Sequence, residues 1–594
     1  MAYQQAAHSV LQNPLLNPVG PAKKQEWRNR MHADFDPAKP SDKKLETRLL
    51  NGYHFETIIQ NVRCKTLHCG GHFEVTYMGT GAGGYTYWEC TGCGQSFDTK
   101  HKKFDDITQP DLSTTYTGLR TDLGYDLQSR LLASQNVQPG SNSNWYKTWQ
   151  DKVYNNHTLF FQKCQAKTVA EIKKVYTQDL HVAPIMYKNK QCVPVFISAD
   201  GTYCKRGEHS IFGEMYIVEY YTGAVISCAA VEKCHKCHFS GNTDSQKCPD
   251  NSTLYHGSSK SMEGELLKML YKESPNLGLI YEILIGDCDS SSFDAVKTFY
   301  FEEDLPAEEQ IIVKKELCSG HVAKCLPAHL KKLKKSSYTL IRTKKGKNKG
   351  KNRRLYTFRK KRDGSGFTDK DCNHLGTFYA RILKDTSLSI ADKQRHIMGI
   401  YKHHCDYPDS PKMDLHDDCY GNCPWKLAKL NGEELPRKKG IFSKWQKGDS
   451  LDDDEARKQL EDARKLLEDE FRFLSRTELL EHCMLGITQN INESLHSKEH
   501  SMASKTKFFS MKRVLFSVQR TALQHNLGYK KGCLLRSLFP MSETYCQVLE
   551  REDENRHLIA KRTPGTARSS GVGRTLARVA HVAAEYQPGL RLPV

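Results

Sequence analysis

No stretch of about 18 consecutive apolar residues occurs in the 594-residue chain, which excludes a membrane-spanning helix. The opening stretch MAYQQAAHSVLQNPLLNPVG lacks the charged region and apolar core of a secretion signal, so the expectation is an intracellular chain. Acidic residues are in deficit: 69 Asp and Glu face 88 Lys and Arg, a formal net charge of +19. That excess suits a polyanionic partner, of which nucleic acid is the usual one, and a merely soluble basic protein is the plainer alternative. Apolar residues are modest at 38%, yet with 10% aromatics they suffice for globular cores, and the chain is too long for one core alone.

Cysteine is not scarce. Twenty-one cysteines in a reducing compartment point to metal sites rather than disulfides. Cys64 and Cys69 (C-x4-C) followed by Cys90 and Cys93 (C-x2-C) flank two strand-like runs, HFEVTYM and YTYWEC. Four thiolates on two hairpin knuckles can close a tetrahedron around Zn2+, a structural site with no open position. A second cluster, Cys234, Cys237, Cys248 and His256, suits a Cys3His zinc site. A third, in HHCDYPDSPKMDLHDDCYGNC, offers His404, His416, Cys419 and Cys423, with other ligand assignments open.

Between the first two clusters, residues 112–182 carry apolar residues at helical spacing, interrupted by the breaker QPGSNSN. A helix-turn-helix DNA reader and a plain helical hairpin fit this pattern equally. The Lys- and Gly-rich run RTKKGKNKGKNRRLYTFRKKR, residues 342–362, reads as a solvated mobile loop that can also neutralise phosphates. Residues 370–480 are mainly helical in pattern. The first 60 residues are polar and Pro-dotted, and those beyond about 550 are rich in Arg, Gly and Ala, so both ends are expected to be poorly ordered.

The stretch CVPVFISADGTYCKRG contains a short apolar run, Val193 to Ile197, that ends on Asp200. Asp-Gly commonly ends a strand in a turn, and that reading stands beside a functional one. The next two apolar runs, joined at Thr222 and Gly223, extend it to an antiparallel meander. After a helix over 262–273, IYEILIG again delivers an acid, Asp287, at the end of a strand. A helix carrying Phe293, Val296 and Phe299 is expected to follow. Ligands of open sheets bind at the carboxyl ends of strands, so two such acids favour function over a turn. Late in the chain, GITQNINESLHS reads as a helix with Glu493 on its polar face, where a plain surface residue is the simpler reading.

The ordered blocks SADGTYCKRG, YHGSSKSMEGE, IGDCDSSSFDAV, CSGHVAK and GITQNINESLHS resemble those of a Mutator-like transposase domain of animal cut-and-paste DNA transposons. The resemblance runs from about residue 60 to 530. It implies a DDE/D transposase of α+β class: an RNase H-like mixed sheet flanked by helices, with a large helical insertion before the third acid. The acids fall on Asp200, on Asp287 (Asp289 being the rival) and on Glu493, which together would hold two Mg2+ or Mn2+ ions. The family's Cys-x2-His element falls on Cys318 and His321, which lie one helical turn apart and have a structural or zinc-binding role. The implied partner is DNA, both transposon ends and target, without membrane contact, in the nucleus and in an oligomer of like chains.

The expected order is a disordered region (1–60), a zinc ribbon (61–110) and a helical, HTH-like segment (111–185). The first part of the core with its zinc-binding insertion (186–335) follows, then a basic loop with helical insertion (336–480). The last core helices (481–545) and a tail (546–594) complete the chain. The insertion is expanded relative to the family pattern. A rival reading is a domesticated or inactive relative that binds DNA without cutting it, and a third is a zinc-rich scaffold working through protein contacts.

Overall fold

The computed structural model describes residues 21–33 and 64–561, except 79–85, 99–102, 105–106, 122, 135–144, 205–209, 241–247, 249–253, 288–290, 303–309, 343–351, 357, 359–366, 405–415, 422, 434–452, 503–508, 540 and 542. The chain divides into two compact units. Unit 1 comprises Met1–Ile283, Ser291–Val313 and Asn490–Val594; unit 2 comprises Leu284–Ser290 and Lys314–Gln489.

Labels are given only to the central sheet and the helices associated with it. In chain order these are α1 (Gln150–Lys174), β1 (Lys190–Tyr203), β2 (Phe212–Glu219), β3 (Val225–Glu232), α2 (Met262–Glu273), β4 (Leu279–Gly286), β5 (Lys314–Leu317), α3 (Asn490–Met502) and α4 (Met511–Lys531). The strand order is β5-β4-β1-β2-β3, with Ile185–Tyr187 pairing onto the start of β1. β1, β2 and β3 form the antiparallel meander read from the sequence, turning at Gly223, whose φ of 68° is the left-handed conformation glycine supplies without steric cost.

Burial explains the strand composition. β1 is buried continuously from Cys192 to Ala199 and β2 over all eight residues, as expected of strands covered on both faces. Pro194, which has no N–H to give, lies before the β1–β2 ladder begins at Ile197. At the β2–β3 turn, the buried Glu219 accepts from Tyr176 Oη (2.6 Å), Tyr221 N (2.7 Å) and Thr222 N (2.6 Å), so its charge is held by donors. α1 is a core helix: Gln165 Nε2 donates to the Ile226 carbonyl (3.0 Å), and Thr158 Oγ1 donates to Gln519 Oε1 of α4 (3.1 Å).

Unit 2 has its own core, with Leu326, Leu330, Tyr379, Ile382, Ile397 and Phe471 among its buried residues. Helix Asp369–Lys384 starts with a capping box between Thr368 and Asp371. It approaches helix Ser319–Ser336 so closely that a Cβ on Gly376 would lie 2.9 Å from Pro327.

Several expectations need correction. β1 does not stop at Asp200 but continues to Tyr203, because Gly201, Thr202 and Tyr203 still find partners in Met215, Glu214 and Gly213. After Asp287 only Ser291–Asp294 is helical. Phe293 falls within that short helix, and Val296 and Phe299 sit in the turns after it, where i→i+3 bonds replace a continued helix. Part of the Lys-rich run is ordered, since Asn352–Tyr356 pairs antiparallel with Tyr338–Arg342. Within the first 60 residues Pro21–Ala33 is a helix with Trp27 buried against Tyr221, and the C-terminal helix Glu543–Lys561 reaches beyond residue 546. No helix among the described residues is long and apolar enough to cross a membrane.

Candidate active site and metal centres

Asp200 lies on β1 opposite Tyr216, half-buried, with α3 packed alongside. Three contacts fix the alignment. Ser198 Oγ donates to Asn492 Oδ1 (2.8 Å), His496 Nε2 donates to the Asp200 carbonyl (3.1 Å), and Thr202 Oγ1 lies 3.5 Å from His500 Nε2. The strand positions recur every two residues, about 6.7 Å, and the helix positions every four, about 6 Å. The repeats nearly match, so helix and strand keep company over three successive contacts in the same direction. Asn492, wholly buried, also donates to the Tyr216 carbonyl (3.1 Å). Glu493, the next residue, is exposed in the first turn of α3, where the helix dipole favours a carboxylate.

A polar cluster that the sequence reading missed lies beside Asp200. Glu214, buried on β2, is 3.3 Å from His500 Nε2. Tyr216 Oη donates to Glu499 Oε2 (2.6 Å), and His496 Nε2 stands 3.7 Å from Asp200 Oδ2. Burial, then the neighbouring Glu214 charge, pushes the Glu499 carboxyl well above the usual range, and burial with both glutamates does the same to the Tyr216 phenol. The i,i+4 spacing of His496 and His500 was the available signal. Glu214 gave none, because a lone acid in an apolar run is indistinguishable from one at a strand edge.

Asp287, half-buried, follows directly on β4 in unit 2; Asp289 lies outside the described residues. The strand end before Asp287 is held by Cys318 N donating to the Gly286 carbonyl (2.9 Å) and Gln489 Nε2 to the Ile285 carbonyl (3.3 Å). Cys318 caps helix Ser319–Ser336 and accepts from Gln489 N on its sulfur (3.3 Å). Burial alone would raise its thiol, but the His321 side chain and the Gln489 N–H outweigh it and hold the thiol below its ordinary value. Among the described residues Cys318 and His321 join no set of three or more ligands.

Three Cys/His sets do gather. Cys64, Cys69, Cys90 and Cys93 form the first, with Sγ–Sγ separations of 3.6 Å (Cys64–Cys93) and 3.5 Å (Cys69–Cys90). Its knuckles leave no room for side chains: a Cβ on Gly71 would lie 2.7 Å from Cys90 Sγ, and one on Gly92 2.9 Å from Cys69 Sγ. The Gln95 N–H, with Thr66, draws the Cys93 thiol below its ordinary value, whereas at Cys69 the Gly71 N–H is outweighed by the neighbouring thiols, which push that thiol up. In the second set, Cys234 Sγ lies 3.7 Å from Cys248 Sγ and Cys237 Sγ 3.3 Å from His256 Nδ1, all four buried.

The third set corrects the sequence reading. His403, not His404, joins His416, Cys419 and Cys423, with His403 Nδ1 3.1 Å from Cys419 Sγ and 3.0 Å from His416 Nδ1. Adjacent residues of a helix point about 100° apart, so only one of the two histidines can face the loop cysteines. His404 packs its ring on His374 and Phe378 instead. The donor sets of all three clusters, thiolates with or without imidazole, fit structural zinc. All cysteines among the described residues are free of disulfides.

A family model described as Mutator-like transposase matches residues 49–420. The matched segment contains Asp200 and Asp287 and ends before Glu493. No curated protein and no solved structure matches the chain.

Proposed function

The chain belongs to the Mutator-like transposase family, and from that premise we propose that it cleaves DNA strands and transfers them through a DDE triad of Asp200, Asp287 and Glu493. Asp289 is the alternative second acid. The reading is carried by the alignment of α3 on β1, which ties the helix bearing Glu493 to the strand bearing Asp200 through Asn492 and His496. A mixed sheet with helices and acids at β1 and after β4 supports an RNase H-like core. Asp200 and Glu493 are water-accessible oxygen donors, the type that hard divalent cations prefer. Two Mg2+ or Mn2+ ions bound there would supply activation of the attacking water or 3′-hydroxyl and stabilisation of the leaving oxygen.

The protein's own contribution is rigidity. The β-ladder on either side of Asp200 fixes its backbone, and Asn492, buried and hydrogen-bonded to two strands, fixes the helical turn that presents Glu493. Lys331, Lys332, Lys334 and Lys335 on helix Ser319–Ser336, with the basic run to Arg362, would line a DNA path, and the enzyme would work in the nucleus as an assembly of like chains.

The test is nicking and strand transfer on plasmid DNA with Mg2+ or Mn2+. Asp200→Asn and Glu493→Gln should each lower the rate about a thousandfold, roughly 4 kcal/mol of transition-state stabilisation, while DNA retention at low salt is unchanged. Undiminished cleavage in both variants rejects the triad. DNA retention by a wild type that does not cleave indicates a binding-only relative.

A further inference from the structure

Outside the triad and the three cysteine clusters, one further set of ligand-type side chains gathers among the described residues of unit 1. His496 and His500 stand one turn apart on α3, and Glu214 comes from β2, opposite Thr202 in the ladder. One nitrogen of each ring and one Glu214 oxygen lie within 4.8 Å of one another. The side chains of Glu214, His496 and His500 are 1%, 9% and 15% exposed.

We propose that Glu214, His496 and His500 form a binding site for a divalent transition-metal ion, Zn2+ being the best match. Two donors held at about 2.0–2.1 Å in a tetrahedron are about 3.3 Å apart, which is the separation of His500 Nε2 and Glu214 Oε1. Two imidazoles and one carboxylate suit zinc and its first-row neighbours better than Mg2+, which takes oxygen.

A second feature points the same way. His496 Nε2 faces the Asp200 carbonyl at 3.1 Å and must donate to it, which places the ring's lone pair on Nδ1, the nitrogen a cation would take. A metal-bound imidazole characteristically gives its other N–H to a backbone carbonyl in this manner. Glu499 supplies the matching outer contact for the carboxylate: it accepts from Tyr216 Oη and is hydrogen-bonded to Glu214. A bound ion would pin α3 to β2 within two turns of Glu493 and, through His496, brace the Asp200 backbone. The site does not depend on the transposase reading, because metal binding is measured without reference to cleavage.

The experiment uses the full chain, stripped of metal and titrated with Co2+, whose thiolate charge-transfer bands report the cysteine clusters separately. Wild type should take up one equivalent more than His500→Gln or Glu214→Gln, the lost band lacking thiolate character and the thiolate bands remaining unchanged. Equal uptake by wild type and both variants overturns the site and leaves a buried His500–Glu214 ion pair in its place. Should the neutral variants fail to fold, His500→Cys decides. Retention of the extra equivalent with one new thiolate band supports the site, and its absence overturns it.

Discussion

At the scale of single residues, the contrast between the buried Glu219 and the half-buried Glu316 is instructive. Glu219 is surrounded by donors, whereas Glu316 on β5 is desolvated with no hydrogen-bond partner for its Oε2 among the described residues, and burial pushes its carboxyl up to about 8. Between the ordinary value near 4.5 and about 8, the folded state keeps a proton that the unfolded chain releases, so stability falls as pH rises through this window. Glu316→Gln should therefore change little near pH 4.5 and stabilise at pH 8 by on the order of 4 kcal/mol. Thermal melts of wild type and variant at both pH values check this, and a pH-independent difference would contradict it. Asn492→Ala leaves the Tyr216 carbonyl and Ser198 without their partner and should cost about 2–3 kcal/mol. It should also reduce cleavage by loosening the turn that carries Glu493. Asp200 stands out in the sequence because an acid ending an apolar run is conspicuous, and Glu214 does not, because its histidine neighbours come from a helix nearly 300 residues away.

At the scale of elements, the cysteine clusters act as local staples. The ribbon strands Phe73–Met78, Thr86–Cys90 and Ser96–Asp98 bury little besides Phe73, Trp88 and the cysteines themselves, too small a core to fold alone. Chelation or Cys90→Ser should open this sheet first, seen as rapid amide exchange over residues 64–98 while β1–β3 stay protected. The third cluster separates two adjacent histidines. His403→Gln should release one zinc equivalent per chain, and His404→Gln should release none, measured by elemental analysis. The reverse result would restore the assignment read from the sequence. The C-x4-C and C-x2-C spacings were readable because ligand spacing is a local property of the chain. The choice of His403 over His404 was not, because it depends on the phase of helix Ile390–His404 relative to a loop that begins after it.

For the whole molecule, the charge of +19 sets the expected behaviour with DNA. Retention should be strong at low salt and fall steeply as salt rises, log affinity declining linearly with log salt concentration in proportion to the phosphates neutralised. Neutralising Lys331, Lys332, Lys334 and Lys335 together should shallow that slope without altering the zinc content. A slope unchanged by the four substitutions would remove helix Ser319–Ser336 from the DNA path. The division of the chain has a parallel logic: the chain leaves unit 1 within β4, re-enters it over Ser291–Val313, leaves again at Lys314 and returns at Asn490, so the helix bearing Glu493 is contributed by a segment remote in sequence from β1.

The sequence by itself determined the local properties: apolar runs for β1 to β4, the ligand spacings of the cysteine clusters, the basic charge and the order of family blocks. These follow from neighbours along the chain, whose distances are fixed by covalent geometry. Tertiary structure alone decided that β1 runs past Asp200, that Asn492, His496 and His500 fall in step with Ser198, Asp200 and Thr202, and that Glu214 meets two histidines. Those outcomes depend on which face of a distant helix packs on the sheet and at what longitudinal offset. Burial and hydrogen bonding set both only once the chain has folded.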